Sequence, residues 1–313
     1  MTLPAGTITG TGDITALVQT AYDQYVRMAL RSIPVMRSIA DVKPVQQAMP
    51  GSSVVFSIYS DLAQVTATLT EEQDASSVAL GNPSQVTVTL QEYGSAVTTT
   101  KKLNLTSFND VDAALADIIA YNAADSIDAV VAAVLTGGTN VIYGGNATTT
   151  NTIDAADTIS VADIRNAVTE LRTNKALPRL GELYAAYLHP RQAADLRAES
   201  GTGGFQDIVK YTDNVSKTII PGSVGVIEGA FVVETPRVPF AVNTNSPAVN
   251  VYKAVVAGRE ALAEAMGQDI NTVIGPEIDA LRRFRTIGWY YFGGFARLRE
   301  AALYRIETSA SAG

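Results

Sequence analysis

Two short segments with strictly alternating side chains constrain the fold of this chain most. Residues 65–70 read VTATLT and residues 85–91 read QVTVTLQ, so apolar and polar side chains alternate along both. A period of two is typical of a half-buried β-strand, and two such segments predict a hairpin. Because no amphipathic helix lies between them and an isolated hairpin is marginal in water, something else has to cover its apolar row. That row consists of Val65, Ala67, Leu69, Val86, Val88 and Leu90.

The connection between the two predicted strands, residues 71–84, is long for a hairpin. Connections of this length are usually functional or mobile. Glu71, Glu72 and Asp74 lie at its start, and we expect their charges to hinder uncontrolled pairing of exposed strand edges. A further strand is predicted at residues 54–60, just before the hairpin.

Residues 109–138 give the strongest helix prediction in the chain. Asn109 or Asp110 can cap its start and Gly137-Gly138 can end it. About 27 residues at roughly 1.5 Å each give a helix of roughly 40 Å, which suggests a structural strut. Its aspartates, Asp112, Asp117, Asp125 and Asp128, fall mostly off the apolar stripe. The stripe consists of Val111, Leu115, Ile118, Ile119, Ile127, Val130, Val131 and Val134.

The remaining segments predict a mixed α and β fold. A loose arm over residues 1–12 precedes a helix over residues 13–33, and alternating helices and strands follow residue 160. Pro190 fits the first position of one of these helices. The segment LRRFRTIGWYYFGGFARLREAALYRIET near the end predicts a strand, a Gly-Gly turn and a second strand.

Composition excludes several classes of protein. The chain has 313 residues, of which 47% are hydrophobic and 17% charged, so wholesale disorder is excluded. A net charge of −8 argues against a dedicated nucleic-acid binder, and the lack of cysteine excludes disulfides and thiolate chemistry. The first residues do not resemble a signal peptide, and the longest apolar run, residues 129–135, is too short to cross a bilayer. We expect a protein made in a cytoplasm and no membrane partner.

A search for catalytic chemistry predicts no enzyme, cofactor or metal site. The single histidine, His189, lacks a nucleophile or orienting carboxylate that the sequence can place, so a structural role is favoured. Nucleotide-binding, nucleophile-elbow and zinc-protease motifs do not occur. The acidic pairs Asp110/Asp112, Asp154/Asp157 and Glu277/Asp279 fit caps and turns better than a hard-cation site.

Arginines interleaved with aromatic residues near the C-terminus superficially resemble a stacking platform for single-stranded nucleic acid. Consecutive aromatic residues on a strand point to opposite faces, so a central strand buried on both sides is the favoured interpretation. The arginines then lie near its ends, available to carboxylates of other subunits. The residues concerned are Arg282, Arg283, Arg285, Trp289, Tyr290, Tyr291, Phe292, Phe295, Arg297 and Arg299.

The order of these elements resembles that of tailed-phage major capsid proteins with the HK97-like fold. YLHPRQAADLR, GSVGVIEGAFVVET and RTIGWYYFGGFARLREAALYRIET are also similar to stretches in one branch of that family. The resemblance implies an α+β fold with an N-terminal arm over residues 1–50 and an extended loop over residues 51–106. It implies a peripheral domain with a spine helix over residues 107–180, an axial domain over residues 181–274, and return strands of the peripheral domain over residues 275–313.

The same resemblance implies self-assembly through pentamers and hexamers into an icosahedral head around double-stranded DNA, held without sequence-specific binding. A separate scaffold protein, a portal and a decoration protein are the implied partners, and the virion, assembled in the host cytoplasm, is the implied location. The predicted assembly interface combines the apolar row of the hairpin with Glu71, Glu72 and Asp74, finished by a neighbouring subunit.

Two alternatives remain open at this point. One is an encapsulin-type nanocompartment shell of the same fold, which would hold a packaged enzyme in place of a genome. The other is a soluble α/β enzyme or binding protein, which would need a convergent polar pocket.

Overall fold

The computed structural model describes residues 34–44, 53–66, 68–69, 71–72, 74, 77–106, 111–200, 223–244, 247–277 and 279–311. The predicted arm over residues 1–12 and helix over residues 13–33 lie outside the described residues, as does Ala67. The helices are α1 (Lys101–Thr106), α2 (Val111–Thr136), α3 (Val161–Thr173) and α4 (Pro190–Ala198). The strands are β1 (Ala40–Pro44), β2 (Ser53–Ile58), β3 (Ser84–Thr89), β4 (Gln91–Thr100), β5 (Val141–Tyr143), β6 (Tyr184–Leu188), β7 (Ser223–Ile227), β8 (Ala230–Glu234), β9 (Phe240–Val242), β10 (Asn250–Ala257), β11 (Leu262–Ile274), β12 (Phe284–Arg297) and β13 (Leu303–Thr308).

One sheet has four strands in the order β1-β11-β12-β4. β11 and β12 are long antiparallel partners, and β1 joins the outer edge of β11 in parallel. Ile287, Trp289 and Tyr291 of β12 are buried against α2, whereas Phe292 packs on the other face with the β2–β3 hairpin. Consecutive aromatic residues therefore lie on opposite faces of a central strand, as the sequence predicts.

The second sheet has seven strands, ordered β5-β13-β10-β6-β8-β7 with β9 added beside β10. β6 is buried at every position, and β8 lies parallel to it. Ile164 and Leu171 of α3 and Leu196 of α4 pack into one core with Ala186 of β6. The predicted alternation of helices and strands after residue 160 is thus confirmed.

Helix α2 connects the two sheets. Its 26 residues extend for about 39 Å. Ile119 and Ile127 pack against the four-stranded sheet, and Val131 and Leu135 join the core of the seven-stranded sheet. The predicted strut is confirmed in its position and length.

By length and composition, one segment of α2 could cross a membrane, because Leu115–Thr136 has a mean hydropathy of 1.6. The uninterrupted apolar run at residues 129–135 is therefore only part of a longer segment that is apolar on average. In this structure part of the same segment packs along two sheets, and 39% of its most apolar window is buried.

The hairpin differs from the predicted one. β3 pairs with β2 in antiparallel register, Phe56 opposite Val86, and the described residues between 65 and 69 form no strand. The described residues of this alternating segment, 65, 66, 68 and 69, are therefore not part of a paired strand. The connection between the paired strands is residues 59–83, longer than the predicted 71–84.

The predicted Gly-Gly turn is also wrong, because β12 continues through Gly293 and Gly294. A Cβ at Gly294 would overlap the carbonyl oxygen of Thr89. These glycines therefore allow the end of β3 to approach β12, and the chain turns later, at the short 3-10 helix Glu300–Ala302.

Each sheet combines elements from more than one of the predicted domain ranges. α3, expected in the peripheral domain, packs with the seven-stranded sheet, and β13, also expected there, pairs with β10. β11, expected in the axial domain, belongs to the four-stranded sheet. The sheet to which each element belongs depends on pairing between residues distant in sequence. The order of the elements along the chain does not reveal that pairing.

Candidate assembly surface

The hairpin loop, defined here as residues 59–83, exposes an unusual amount of apolar surface. Val65 is 81% exposed and Leu69 78% exposed. Tyr59, Leu62, Val78 and Leu80 are exposed as well. Glu71, Glu72 and Asp74 are exposed among them. Large apolar side chains grouped on one exposed segment are typical of an interaction surface.

The base of the hairpin is covered by its own chain, contrary to expectation. Val88 and Leu90 are buried against Ala265 of β11, with Phe292 and Ala296 packed beside them. Val86 is half-buried. The four-stranded sheet of the same chain therefore covers Val88 and Leu90 of the predicted apolar row. Among the described residues of that row, only Val65 and Leu69 remain exposed.

A second exposed surface, called here the basic end, lies where β4 and β12 meet at one end of the four-stranded sheet. It consists of Lys101, Lys102, Leu103, Leu105, Leu281, Arg282, Arg283, Phe284 and Arg285, all exposed. Phe284 is opposite Thr100 in the β4–β12 ladder, and the backbone N–H of Lys101 donates to the carbonyl oxygen of Arg283 at 2.8 Å. These contacts bring two distant segments of sequence together into one cationic and apolar surface.

The segment Pro34–Pro44, which follows the undescribed N-terminal residues, is fixed by Asp128 of α2. The carboxylate accepts hydrogen bonds from the backbone N–H groups of Met36 at 2.7 Å and Arg37 at 3.1 Å. Burial raises the pKa of Asp128 above its ordinary value, although these hydrogen bonds and the charge of Arg237 oppose the shift. The prediction that this aspartate lies off the buried face is therefore wrong, because it caps the 3-10 helix Met36–Ile39.

A second buried carboxylate, Glu264 of β11, holds the same segment. It is fully buried, and Arg37 donates to it through Nη2 at 2.6 Å and through Nε at 3.1 Å. The hydroxyl of Tyr291 donates to it at 2.9 Å, and burial together with the adjacent carboxylate raises the pKa of Tyr291. Asp128 and Glu264 give the segment before β1 two fixed points on separate elements.

His189 has the structural role that the sequence predicts. It is the N-cap of α4, and its Nδ1 accepts a hydrogen bond from the backbone N–H of Arg191 at 3.2 Å. Burial and the charge of Arg191 lower the pKa of its imidazole. Its ring lies 4.5 Å from that of Tyr252, between centroids, so the side chain is part of a packed cluster.

The acidic pairs considered as cation ligands serve other purposes where the structure describes them. Asp157 accepts a hydrogen bond from the backbone N–H of Asp154 at 2.9 Å, which stabilises a turn. Asp279 pairs with Arg283 at 2.5 Å. Within the described ranges, no cluster of three His, Asp or Glu side chains is placed to hold a metal ion.

Several of the C-terminal arginines form ion pairs within their own chain. Arg297 forms an ion pair with Glu300, and Arg299 pairs with Glu260 at 2.8 Å. Sequence reasoning identified the cations but missed their grouping with Lys101 and Lys102. The sequence offers one signal for that grouping, which is that both segments, LRRFR and KKLNL, combine basic and apolar residues.

Comparisons with solved structures identify this architecture as the HK97-like fold of phage capsids. The chain is similar to the capsid protein of Ralstonia phage GP4, with 17% identity, 98% of both chains covered and a TM-score of 0.75. It is similar to that of cyanophage Pam1, with 14% identity, a TM-score of 0.71, and 96% of this chain and 98% of that one covered. The head protein of Helicobacter pylori bacteriophage KHP40 gives 15% identity and a TM-score of 0.71, covering 98% and 99%.

The family of the chain follows from sequence comparison. The sequence model of the family described as phage capsid protein matches residues 8–311. This chain therefore belongs to the phage capsid protein family. No curated protein matches it.

Proposed function

We propose that this chain is a major capsid protein that self-assembles through pentamers and hexamers into the icosahedral head enclosing double-stranded DNA. The family match over residues 8–311 carries the proposal. The exposed hairpin loop supports it, since its apolar side chains remain uncovered in the isolated chain. Another subunit would cover them in a shell.

The two sheets have distinct roles in this proposal. The four-stranded sheet and α2 form the peripheral domain, and the seven-stranded sheet with α3 and α4 forms the axial domain that gathers at the five- and six-fold axes. β2, β3 and the hairpin loop form the extended loop. The role is structural and requires no catalytic residue.

The proposed partners are those of a head assembled in the host cytoplasm. A separate scaffold protein and a portal take part in assembly, and a decoration protein is a further candidate partner. The net charge of −8 suits a container that holds DNA without gripping it. The family match favours this role over an encapsulin-type shell and over a soluble enzyme or binding protein.

Electron microscopy and sedimentation of the purified protein test the proposal. We expect closed shells or capsomers, either from the protein alone or after co-expression with a scaffold. A monomer of 33 kDa at high concentration, with scaffold present, would contradict the proposal. Shells isolated from a producing host should contain double-stranded DNA, and shells filled with an enzyme would instead indicate a nanocompartment.

A further inference from the structure

We propose that His189 is a pH-sensitive switch, which holds the start of α4 and the exposed strand β9 in place only while its imidazole is neutral. The switch belongs to the folded subunit and goes beyond the proposed function, because it operates whether or not the subunits form a shell. His189 is the only histidine of the chain, so any histidine titration that the subunit shows is its own.

The N-cap of α4 requires a neutral imidazole. Nδ1 of His189 accepts the backbone N–H of Arg191 at 3.2 Å. An imidazolium cannot accept this hydrogen bond, because both of its ring nitrogens carry protons. The backbone N–H of His189 donates to the side chain of Gln192 at 3.2 Å, which completes the capping box. Protonation therefore removes the side-chain acceptor of the cap and leaves the N–H of Arg191 without its partner.

The same imidazole ring connects α4 to β9. It lies 4.5 Å from the ring of Tyr252 in β10 and 6.4 Å from the ring of Phe240 in β9, between centroids. The rings of Phe240 and Tyr252 are 5.4 Å apart, so the three side chains form one cluster. β9 has three residues, all exposed, and pairs with β10 alone among the described strands. Its position therefore depends on few contacts, and this cluster is one of them.

The surroundings of the ring oppose its protonation. The groups that face the imidazole are Arg191 of its own helix, Tyr252 of β10 and the uncharged ring of Phe240 of β9. Arg191 donates from Nη1 to the hydroxyl of Tyr252 at 3.0 Å, which keeps its guanidinium beside the cluster. Burial and this positive charge lower the pKa of His189 below its ordinary value of 6.5. A proton bound to the imidazole would place a second cation beside the first.

Acid favours an opened form of this region. In the opened form the imidazole is free to bind a proton with its ordinary pKa of 6.5, whereas in the closed form it binds the proton only at lower pH. The stability that His189 contributes is therefore complete above pH 6.5 and is lost as the pH falls through the pKa of the closed form. Over that interval the ratio of opened to closed form rises by up to about tenfold per pH unit.

Hydrogen exchange of the purified subunit between pH 7.5 and pH 5 tests the switch. Protection factors, corrected for the intrinsic pH dependence of exchange, are measured by mass spectrometry for residues 189–199, which contain α4, and residues 238–244, which contain β9. We expect protection in both segments to fall together below pH 6.5, by up to about tenfold per pH unit. His189→Asn should lose this fall, because an asparagine caps the helix through an oxygen that does not titrate.

Two further variants distinguish the switch from a purely structural role. Arg191→Gln keeps the capping N–H and removes the nearby charge, so the pKa of His189 should rise toward 6.5 and the total loss of protection in acid should be smaller. Arg197→Gln removes a cation of the same helix that pairs with Glu234, and it should keep the pH dependence of the unmodified protein.

Thermal unfolding checks that every variant is folded. Protection that does not change with pH in the unmodified protein, or an equal fall in His189→Asn, would overturn the inference. A fall in residues 189–199 alone would also overturn it, because β9 would then not depend on His189.

Discussion

Arg37 and Glu264 are 227 residues apart in sequence, and their side chains form a doubly hydrogen-bonded ion pair inside the fold. The guanidinium belongs to the segment before β1, and the carboxylate belongs to β11. Glu264 is fully buried and also accepts the hydroxyl of Tyr291 from β12. One carboxylate thus joins the start of the described chain to two strands of the four-stranded sheet.

Removing Arg37 should destabilise the subunit strongly. Arg37→Ala leaves a buried carboxylate without its cation, and breaking such a pair typically costs about 3 kcal/mol or more. Urea unfolding of the subunit measures the loss. Arg165→Ala is the matched control, because its pair with Glu228 is exposed and should contribute far less. Equal losses for the two variants would contradict this role of Glu264.

Gly294→Ala should loosen the hairpin base. The added Cβ overlaps the carbonyl oxygen of Thr89, a backbone atom that cannot rotate away, so β3 must shift. Overpacking of this kind typically costs about 1–3 kcal/mol, seen as a lower urea midpoint. Gly81→Ala meets only an ordinary contact with Ser60 and serves as the control. An unchanged midpoint for Gly294→Ala would show that the close approach is not required.

Asp128 should impose a specific pH dependence on stability. Burial raises its pKa in the folded chain above the ordinary value of 3.8, so the folded chain retains the proton to higher pH than the unfolded chain. The stability that this group contributes is therefore present below about pH 3.8 and declines as pH rises through the folded pKa. Arg237, with Nε 3.7 Å from the carboxylate, limits the decline.

Asp128→Asn removes this titration and keeps an oxygen that can accept the N–H of Met36. The unfolding free energy of the unmodified protein minus that of Asp128→Asn should fall between pH 3 and pH 7. Urea unfolding at several pH values gives the difference. A difference that stays constant or rises would contradict the direction assigned here.

The face of α2 can be tested with two isoleucine positions of the helix. Ile127 is 1% exposed and Ile118 is 45% exposed. Ile127→Ala should cost about 2–5 kcal/mol in unfolding free energy, because it removes buried methylene groups and leaves a cavity. Ile118→Ala should cost much less in the isolated subunit. Similar losses would show that the buried face is assigned wrongly.

The sequence predicted those parts of the fold that depend on local pattern. The apolar period of α2, the alternation in β3 and the Pro190 start of α4 each reflect contacts between near neighbours in sequence. The partner of β3 is predicted wrongly, because residues 65–70 alternate more regularly than β2, in which Val54, Val55 and Phe56 are consecutive apolar residues. The partner of β3 depends on which strand packs against the four-stranded sheet. That packing involves residues that are distant in sequence.

The same limit applies to the candidate assembly surface. The acidic residues of the loop were recognised, since they are contiguous in the sequence. The basic end was not, because Lys101 and Arg283 meet only through the register of β4 and β12. The burial of Asp128 was missed for a similar reason: its partners, Met36 and Arg37, are more than ninety residues away.

The most direct test of this account is electron microscopy of a variant in which residues 59–83 are replaced by a short turn, under conditions where the unmodified protein makes shells. Residues 53–58 and 84–89 stay in place, so β2 and β3 keep their pairing and the subunit should remain folded. We expect folded subunits and no closed shells. Normal closed shells from this variant would contradict it.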